Sequence, residues 1–418
     1  MRRGFTLVEL LIATMSGLII AAAAFLLARN SSSFFQSEAG ITTAQFSSML
    51  GFSRLQEDVR RAAMMSSPNI VGDPMRCGSV AGWPAGMAEL AGVRIEQGGS
   101  VIRHAADHTL SVVNGTNPDA LIIGGLFGST EHFAIQAMSE DGSGGFTILL
   151  QNDGAMIRAK LGAGAGAAAL NQLFRVGRIL RLQDGEGRSA YGVISGVNTG
   201  GTFVVLSVAN SPTLPIRSTA GTCGCSPPCE GDLVNPVVRM LYDVRKVDEA
   251  TYPQYAGLYV KASRGAAAVG THAGITQAPR TELIRVELDA SGAEIVDTLE
   301  ILAEYAVDFK LGMSTATPGP PPDNVPVITY YNLDDPAIAA IAGPLAAGTS
   351  PQRVRSLQIR LGIRAARRDR AVAITNPADG GFFRFDLGID GAGNPRGFAR
   401  VRTLVADVAL PNQTGVSW

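Results

Sequence analysis

The chain has 418 residues, of which 46% are hydrophobic and 17% are charged, and its formal net charge is -1. This length can bury a sizeable core, so one large or two smaller globular units are expected, and the near-zero charge excludes a global field that attracts nucleic acid or anionic lipid. The 49 glycines and 22 prolines favour many short strands joined by turns over a helical bundle.

The first predicted element is an apolar run at residues 5–28, whose only charged residue is Glu9. As an α-helix it would be about 36 Å long, which exceeds the roughly 30 Å of a bilayer core and predicts a transmembrane helix. Arg2 and Arg3 precede the run, so the positive-inside rule predicts a cytoplasmic N-terminus with the rest of the chain outside. The alternative is an ordinary secretory signal cleaved near residues 21–24, but such a signal has a shorter apolar region.

Glu9 lies near the start of this apolar helix, where a carboxylate is costly and therefore a candidate for function. The segment Gly4-Phe5-Thr6-Leu7-Val8-Glu9-Leu10 resembles the processing motif of type IV prepilins and of the related pseudopilins of type II secretion. The resemblance implies that residues 1–4 are a leader peptide and that a membrane prepilin peptidase cuts between Gly4 and Phe5. It also implies that the new Phe5 amine is methylated.

The charges of this motif suggest how it would act in assembly. Cleavage after Gly4 removes Arg2 and Arg3 and leaves a positive amine on Phe5, with Glu9 a little over one turn further along the helix. If such helices bundle in a filament core, the Glu9 carboxylate of one subunit neutralises the Phe5 amine of a neighbour. Because an unpaired charge is strongly disfavoured in a low dielectric, this pair would favour one axial offset between subunits.

Residues 29–66 are predicted to continue the helix with an amphipathic pattern. Apolar residues recur there at spacings of three and four: Met49, Phe52, Leu55, Val59 and Ala62. This stripe predicts a helix that lies on a sheet. The next proline, Pro68, is expected to end the pattern.

Residues 67–418 are predicted to form a β-rich globular region outside the cytoplasm. Apolar and β-branched runs between turn signals predict strands at residues 121–123, 176–182, 191–194, 203–208, 281–288, 305–311, 354–363 and 400–409. Stretches rich in glycine, alanine and proline at residues 162–169, 263–279 and 314–350 are expected to be insertions or surface loops. The expected fold class is α+β, with a long N-terminal helix, transmembrane in its first half, packed on antiparallel β-sheet.

The order of several segments in this region is similar to that of the PilW family of minor pilins. The matching segments are Asp119-Ala120-Leu121, Val176-Gly177-Arg178-Ile179-Leu180 leading to Asp184-Gly185, and residues 302–309, 353–364 and 401–412. The resemblance implies a type IV pilin-like fold and a low-abundance subunit that primes or caps the pilus. It implies other minor pilins, the major pilin and the inner-membrane assembly platform as partners. The chain would lie in the inner membrane before assembly, and in the periplasm and extracellular pilus afterwards.

The four cysteines, Cys77, Cys223, Cys225 and Cys229, favour disulfides over a metal site, because thiols outside the cytoplasm tend to be oxidised. Four cysteines allow three pairings, and a bridge between Cys223 and Cys225 would close a strained, very small ring. We therefore expect Cys77 to pair with Cys223 or Cys225, and the remaining one of these two to pair with Cys229.

Two further patterns in the sequence contain residue types that can bind a metal. His104 and His108 are four residues apart with Asp107 between them, a spacing that would suit a metal on a helix, but a solvated loop is the preferred interpretation. Asp390-Gly391-Ala392-Gly393-Asn394 resembles part of a calcium loop without its alternating acidic residues, so a glycine turn is preferred. No metal and no cofactor is expected.

The most basic stretch of the chain lies at residues 353–370 and contains Arg360 and Arg364. On a strand, these two arginines face away from Leu357, Ile359, Leu361 and Ile363, so a solvated strand face is expected, with a DNA-binding surface as the alternative. No nucleophile elbow, zinc-protease motif or phosphate loop is present in the sequence, so no enzyme is expected.

These observations favour a minor type IV pilin that helps to prime pilus assembly and sits at or near the pilus tip. The closest alternative is a minor pseudopilin of a type II secretion system, whose N-terminus would look the same. A third hypothesis is that the globular region is itself a tip adhesin or a DNA-binding module.

Overall fold

A computed structural model of the chain describes residues 7–162, 166–214, 229–256, 258, 280–319, 325–346, 348–366, 384–389, 393 and 395–416. These residues form an α+β structure in which one long N-terminal helix precedes two antiparallel β-sheets. Short helices connect the strands: α2 (Ala85–Ala88), α3 (Gly99–Arg103), α4 (Thr109–Val113), α5 (Gly154–Gly162), α6 (Ala167–Leu173) and α7 (Ala337–Ala342).

Helix α1 (Leu7–Arg60) has two parts with opposite surroundings. Its span from Leu7 to Ser32 is 0% buried, whereas Phe52, Leu55 and Val59 near its end are buried in the core. The predicted stripe is therefore confirmed at these three positions. Met49 was expected to belong to it but is exposed, because the helix turns Ser48 and Gly51 toward the sheets instead.

The helix ends at Arg60, six residues before the predicted boundary and well before Pro68. The side chain of Asn412 donates hydrogen bonds to the carbonyl oxygens of Arg60 and Ala62, at 3.1 Å each. These are carbonyls that a helix end leaves without intrahelical donors. The backbone then turns through Ala63, which has a φ of 61°. A residue from the far end of the chain thus sets the end of the helix.

Sheet A is formed by five antiparallel strands in the order β1-β2-β8-β9-β10. The strands are β1 (Val93–Glu96), β2 (Ala120–Gly125), the second half of β8 (Leu233–Arg245), β9 (Glu282–Leu288) and β10 (Glu300–Ala303). The end of α1 lies against β10. Sheet A therefore forms one of the surfaces on which the end of the helix packs.

Six strands pair in a closed circle, β8-β3-β4-β7-β6-β5-β8, and make an antiparallel barrel. The added strands are β3 (Phe133–Glu140), β4 (Phe146–Leu150), β5 (Ile179–Gln183), β6 (Ser189–Asn198) and β7 (Val205–Val208). Apolar side chains such as Phe133, Ile148, Phe174 and Leu206 form one buried cluster with them. Closure leaves this part of the sheet without an unpaired edge.

Strand β8 belongs to both units, and Pro236 lies where it passes from one to the other. Along one edge, β8 pairs first with β3, at Leu233 and Val234. Further along the same edge it pairs with β2, from Val238 onward. Proline cannot donate to a sheet ladder and is tolerated where pairing is interrupted. The central strand of the fold was not predicted from the sequence, because a proline within an apolar run argues against an interior strand.

Sheet B has the order β12-β11-β13-β15-β14, again antiparallel throughout. Its strands are β11 (Ala306–Thr317), β12 (Val327–Tyr331), β13 (Val354–Arg364), β14 (Arg384–Asp386) and β15 (Phe398–Ala409). Buried side chains of α1, sheet A and sheet B form one hydrophobic cluster. Burying these apolar side chains together is the main force that holds the three elements in place.

The predicted strands are confirmed where the structure describes them, at β2, β5, β6, β7, β9, β11, β13 and β15. The prediction of loop structure at residues 314–350 was wrong, because this stretch contains the end of β11, the strand β12 and the helix α7. Residues 263–279 lie outside the described residues. The glycine-rich stretch at 162–169 lies between α5 and α6 and overlaps both.

Candidate functional site

The exposed part of α1 is the candidate functional segment. It runs from Leu7 to Ser32 and is long and apolar enough to cross a membrane, and none of it is buried against the rest of the protein. Leaving large apolar side chains in water costs roughly 1.5–3 kcal/mol for each one. This segment therefore favours an apolar environment, which the described globular residues do not provide.

Glu9 lies in the first turn of α1 and is the only charged residue between Leu7 and Ala28. Its side chain is exposed on the helix surface, where a neighbouring molecule can reach it. A carboxylate in a first turn is favoured by the positive end of the helix dipole. Gly4 and Phe5 lie outside the described residues, so cleavage, methylation and the charge pair with Phe5 stay predictions.

Two other polar side chains in the exposed segment, Thr14 and Ser16, form hydrogen bonds within the helix itself. The Thr14 hydroxyl donates to the Leu11 carbonyl oxygen at 3.0 Å, and the Ser16 hydroxyl donates to the Ile12 carbonyl oxygen at 2.8 Å. A hydroxyl that is paired in this way loses little on transfer from water to an apolar medium. Glu9 differs from these two residues because it carries a charge, which is costly to keep in an apolar medium.

Asp58 connects the other end of α1 to sheet A. Its carboxylate accepts a hydrogen bond from the Tyr242 hydroxyl on β8 at 2.5 Å and one from Arg285 Nε on β9 at 2.7 Å. All three side chains are buried. Burial and the nearby Asp58 charge raise the pKa of the Tyr242 phenol well above its usual value, so the phenol stays protonated and donates. This cluster fixes the rotation of the helix about its own axis.

Gly51 lets the helix approach the sheet closely. A Cβ atom at this position would collide with the backbone carbonyl oxygen of Leu302 on β10. The contact is therefore between backbones, and no residue larger than glycine fits without displacing the helix or the strand. Gly17, in the exposed segment of the same helix, has no atom within 4 Å of such a Cβ.

The predicted cysteine sites are only partly within the described residues. Cys77 and Cys229 are both disulfide-bonded, and both are buried in the cluster that fills the barrel. Cys223 and Cys225 lie outside the described residues, so the predicted pairing stays a prediction. No described cysteine is free.

The expectation of a solvated basic face on β13 was wrong for Arg364 and incomplete for Arg360. The Arg364 side chain is 2% exposed and its guanidinium lies 5.0 Å from the centre of the Tyr305 ring. Burial lowers the pKa of Arg364 to about 10. Arg360 donates to the buried carboxylate of Asp308 at 2.7 Å. Since Arg364 is buried and Arg360 is paired with Asp308, these two arginines do not form a basic surface.

The histidines do not form a solvated loop either. His108 is fully buried, with Nε2 2.7 Å from the Val244 carbonyl oxygen and Nδ1 3.1 Å from the Ser111 hydroxyl. His104 is partly exposed and lies 3.1 Å from Asp243. In the described part of the chain no group of three or more His, Cys, Asp or Glu side chains could hold a metal ion. Most of the predicted glycine turn at residues 390–394 lies outside the described residues.

Sequence reasoning missed Asp58, Tyr242 and Arg285. Asp58 is not part of the predicted apolar stripe, and a charged residue beside a buried face is normally solvated. The available signal was the arginine in the predicted strand 281–288, whose charge needs a buried partner once both faces of that strand are covered. The sequence did not show which carboxylate would provide it.

No family model, curated protein or solved structure matches this chain. The described residues therefore establish only the structural class of the protein. It is an α+β protein with large antiparallel sheets and one N-terminal helix that is long and apolar enough to cross a membrane.

Proposed function

We propose that the chain is a minor type IV pilin that is made as a prepilin, cleaved between Gly4 and Phe5, and built into a pilus at or near its tip. The observation that carries the proposal is the division of α1. Its first part, Leu7 to Ser32, is not buried by the described residues, and up to Ala28 its only charged residue is Glu9. In its last part, Asp58 pairs with Arg285 on sheet A. One continuous helix thus joins a membrane-compatible segment to a globular region.

The division of α1 into an exposed apolar part and a buried part suits a protein that moves from a bilayer into a filament. In the inner membrane, lipid covers the segment from Leu7 to Ser32. In a filament, the same apolar surface is covered by equivalent helices of other minor pilins and the major pilin. Glu9 then pairs with the methylated amine of a neighbouring Phe5, which offsets the cost of keeping its carboxylate in an apolar core.

Leader cleavage is tested by the N-terminal residue and mass of the mature protein from its native host. The proposal expects a chain that begins at Phe5 with one added methyl group. Gly4→Val is expected to leave an uncleaved, membrane-retained precursor, whereas Gly17→Ala, at an open position on the same helix, is expected to be processed normally. Normal processing of Gly4→Val, or a mature chain that begins at another residue, would contradict the proposal.

The charge pair is tested by substituting Glu9. Glu9→Ala is expected to be cleaved normally but to enter sheared pili at about one tenth of the normal amount or less, because an unpaired amine in an apolar core is disfavoured by several kcal/mol. Ser16→Ala removes a polar group from the same segment without changing charge and serves as the control. Equal incorporation of Glu9→Ala and the parent chain would rule out the pairing.

The minor pseudopilin remains the closest rival, since it would share the leader, the helix and Glu9. A deletion strain separates the two: loss of twitching motility with intact exoprotein secretion supports the pilus, and the reverse supports a type II secretion system. Arg360 and Arg364 do not support the DNA-binding alternative, because Arg364 is buried and Arg360 is paired with Asp308.

A further inference from the structure

Strand β12 is an unusual edge of sheet B. It pairs with β11 alone among the described strands, and residues 325–330 are all exposed. The exposed fractions are 48% for Val327, 46% for Ile328 and 77% for Tyr330. Since alternate residues of a strand point to opposite faces, both faces of β12 present apolar side chains to the outside.

Within the described part of the chain, the edge also lacks the usual features that prevent strand pairing. No charged residue occurs at positions 325–333, and Pro326 precedes the strand rather than interrupting it. Proteins normally protect an exposed edge with charges, prolines, bulges or a covering segment. A five-residue apolar edge without these features is a template for another extended strand.

The sequence of β12 is complementary to itself in the antiparallel direction. A two-fold axis through Thr329 would place Val327 opposite Tyr331 of the second copy and Ile328 opposite its Tyr330. Pairs of an aromatic with a β-branched residue and pairs of threonines are among the favourable cross-strand contacts. This register pairs all five residues of each strand, and the absence of charge means that two copies do not repel each other there.

We propose that β12 pairs antiparallel with β12 of a second copy of this chain, centred on Thr329. The pairing joins two five-stranded sheets B into one ten-stranded sheet across a two-fold axis. The contact lies on the globular region and does not depend on leader cleavage or on the proposed pilus function.

Cysteine cross-linking of the full-length chain in detergent micelles tests this register. Thr329→Cys is expected to form a disulfide-linked dimer on mild oxidation, because facing Cα atoms in an antiparallel pair are about 4.5–5.5 Å apart, within the range of a disulfide. Val327→Cys and Tyr331→Cys are each expected to stay monomeric alone and to cross-link when mixed. Val405→Cys, 58% exposed on β15, controls for random collision, and the parent chain controls for the native cysteines.

A charge exchange at the same position tests the contact without cross-linking. Thr329→Lys is expected to weaken dimerisation at least about tenfold, since two like charges would face each other directly. Mixing Thr329→Lys with Thr329→Glu, each with a different affinity tag, is expected to restore co-purification. Because Thr329 is exposed, neither substitution disturbs the core, and sedimentation velocity measures the assembly state.

Several results would overturn the proposal. Self-cross-linking of Val327→Cys would indicate a parallel pairing. Cross-linking of Thr329→Cys to a different protein in host membranes, without a self-linked dimer, would show that the edge accepts another partner. Dimers of Thr329→Cys no more frequent than those of Val405→Cys would mean that no copy docks there. None of these results bears on the N-terminal residue of the mature chain, so the two proposals fail independently.

Discussion

The carboxylate of Asp58 on the long helix lies 2.7 Å from the guanidinium of Arg285 on sheet A, and both side chains are buried. The pair links helix α1, the only described element that extends out of the globular region, to strand β9. Strand β9 lies next to β8, the central strand of the fold. Tyr242 donates to the same carboxylate from that central strand. A load applied to the exposed half of the helix therefore reaches the sheet through a charged, hydrogen-bonded contact as well as through apolar packing.

Asp58→Ala is expected to lower the free energy of unfolding by about 3 kcal/mol, because it leaves the Arg285 charge and the Tyr242 hydroxyl buried without their shared acceptor. Glu57→Ala, at an exposed neighbouring position, removes a surface ion pair with Arg61 and is expected to cost less than about 1 kcal/mol. Chemical denaturation in detergent followed by tryptophan fluorescence compares the two. Equal losses of unfolding free energy in the two variants would show that the buried cluster stabilises the fold no more than the surface ion pair does.

Gly51→Ala is expected to destabilise the contact between α1 and β10 by about 1–3 kcal/mol, since the added Cβ meets the Leu302 backbone, which cannot move aside as a side chain can. Gly17→Ala changes the same residue type in the same helix and is expected to be neutral or stabilising by up to about 1 kcal/mol. Thermal unfolding of both variants measures the difference. A normal melting temperature for Gly51→Ala would mean that the helix does not approach the sheet as described.

His108 is expected to make stability fall in mild acid. Burial lowers the pKa of His108 below its usual 6.5, so below about pH 6.5 the unfolded chain binds a proton that the folded chain resists. Stability is therefore complete above that pH and declines as the pH falls, by up to about 1.4 kcal/mol per pH unit. Denaturation midpoints at pH 7.5, 6.5 and 5.5 measure this slope.

Asp107, His104 and Asp243 also act on His108, so the slope must be compared with that of His108→Gln, in which these neighbours remain. The variant is expected to lose the acid-dependent part of the slope, whatever its stability at pH 7.5. Identical slopes for the variant and the parent chain would place the pH response elsewhere.

The buried disulfides of Cys77 and Cys229 are expected to protect both residues from alkylation in the native protein. After unfolding and reduction, both should be labelled, and Cys77→Ser is expected to lower stability by about 2–4 kcal/mol. Ser79→Ala, which is close in sequence and does not remove a cysteine, is the control.

Peptide mapping of the unreduced protein tests the predicted pairing of the cysteines with Cys223 or Cys225. A Cys77–Cys229 bridge would contradict the predicted connectivity.

The apolar stripe of α1 shows which buried positions can be predicted from the spacing of residues along the helix. Phe52, Leu55 and Val59 were predicted to be buried and are, because helical periodicity alone places them on one face. Met49 was expected on the same face but is exposed. Gly51 and Ser48 turn inward in place of Met49, since a close backbone approach favours small residues over a long side chain.

Arg364 shows where pattern fails. Alternation along β13 predicted that its leucines and isoleucines share the buried face, and this is confirmed. It did not predict what covers the opposite face. Tyr305, which precedes β11 and has a φ of 58°, brings its ring beneath Arg364, and Asp308 on β11 pairs with Arg360. Both contacts depend on how two strands distant in sequence are placed side by side.

The sequence by itself determined the apolar N-terminal helix, the lone Glu9 within it, and the alternation of most strands, because each follows from the spacing of neighbouring residues. Only the tertiary structure decided that six strands close into a barrel, that β8 serves two units on either side of Pro236, and that Asp58 meets Arg285. These features rest on contacts between elements that are not consecutive in the chain, and Asp58 and Arg285 are 227 positions apart. Their free energy comes from burial and pairing that exist only after the chain has folded, so no local pattern reports them.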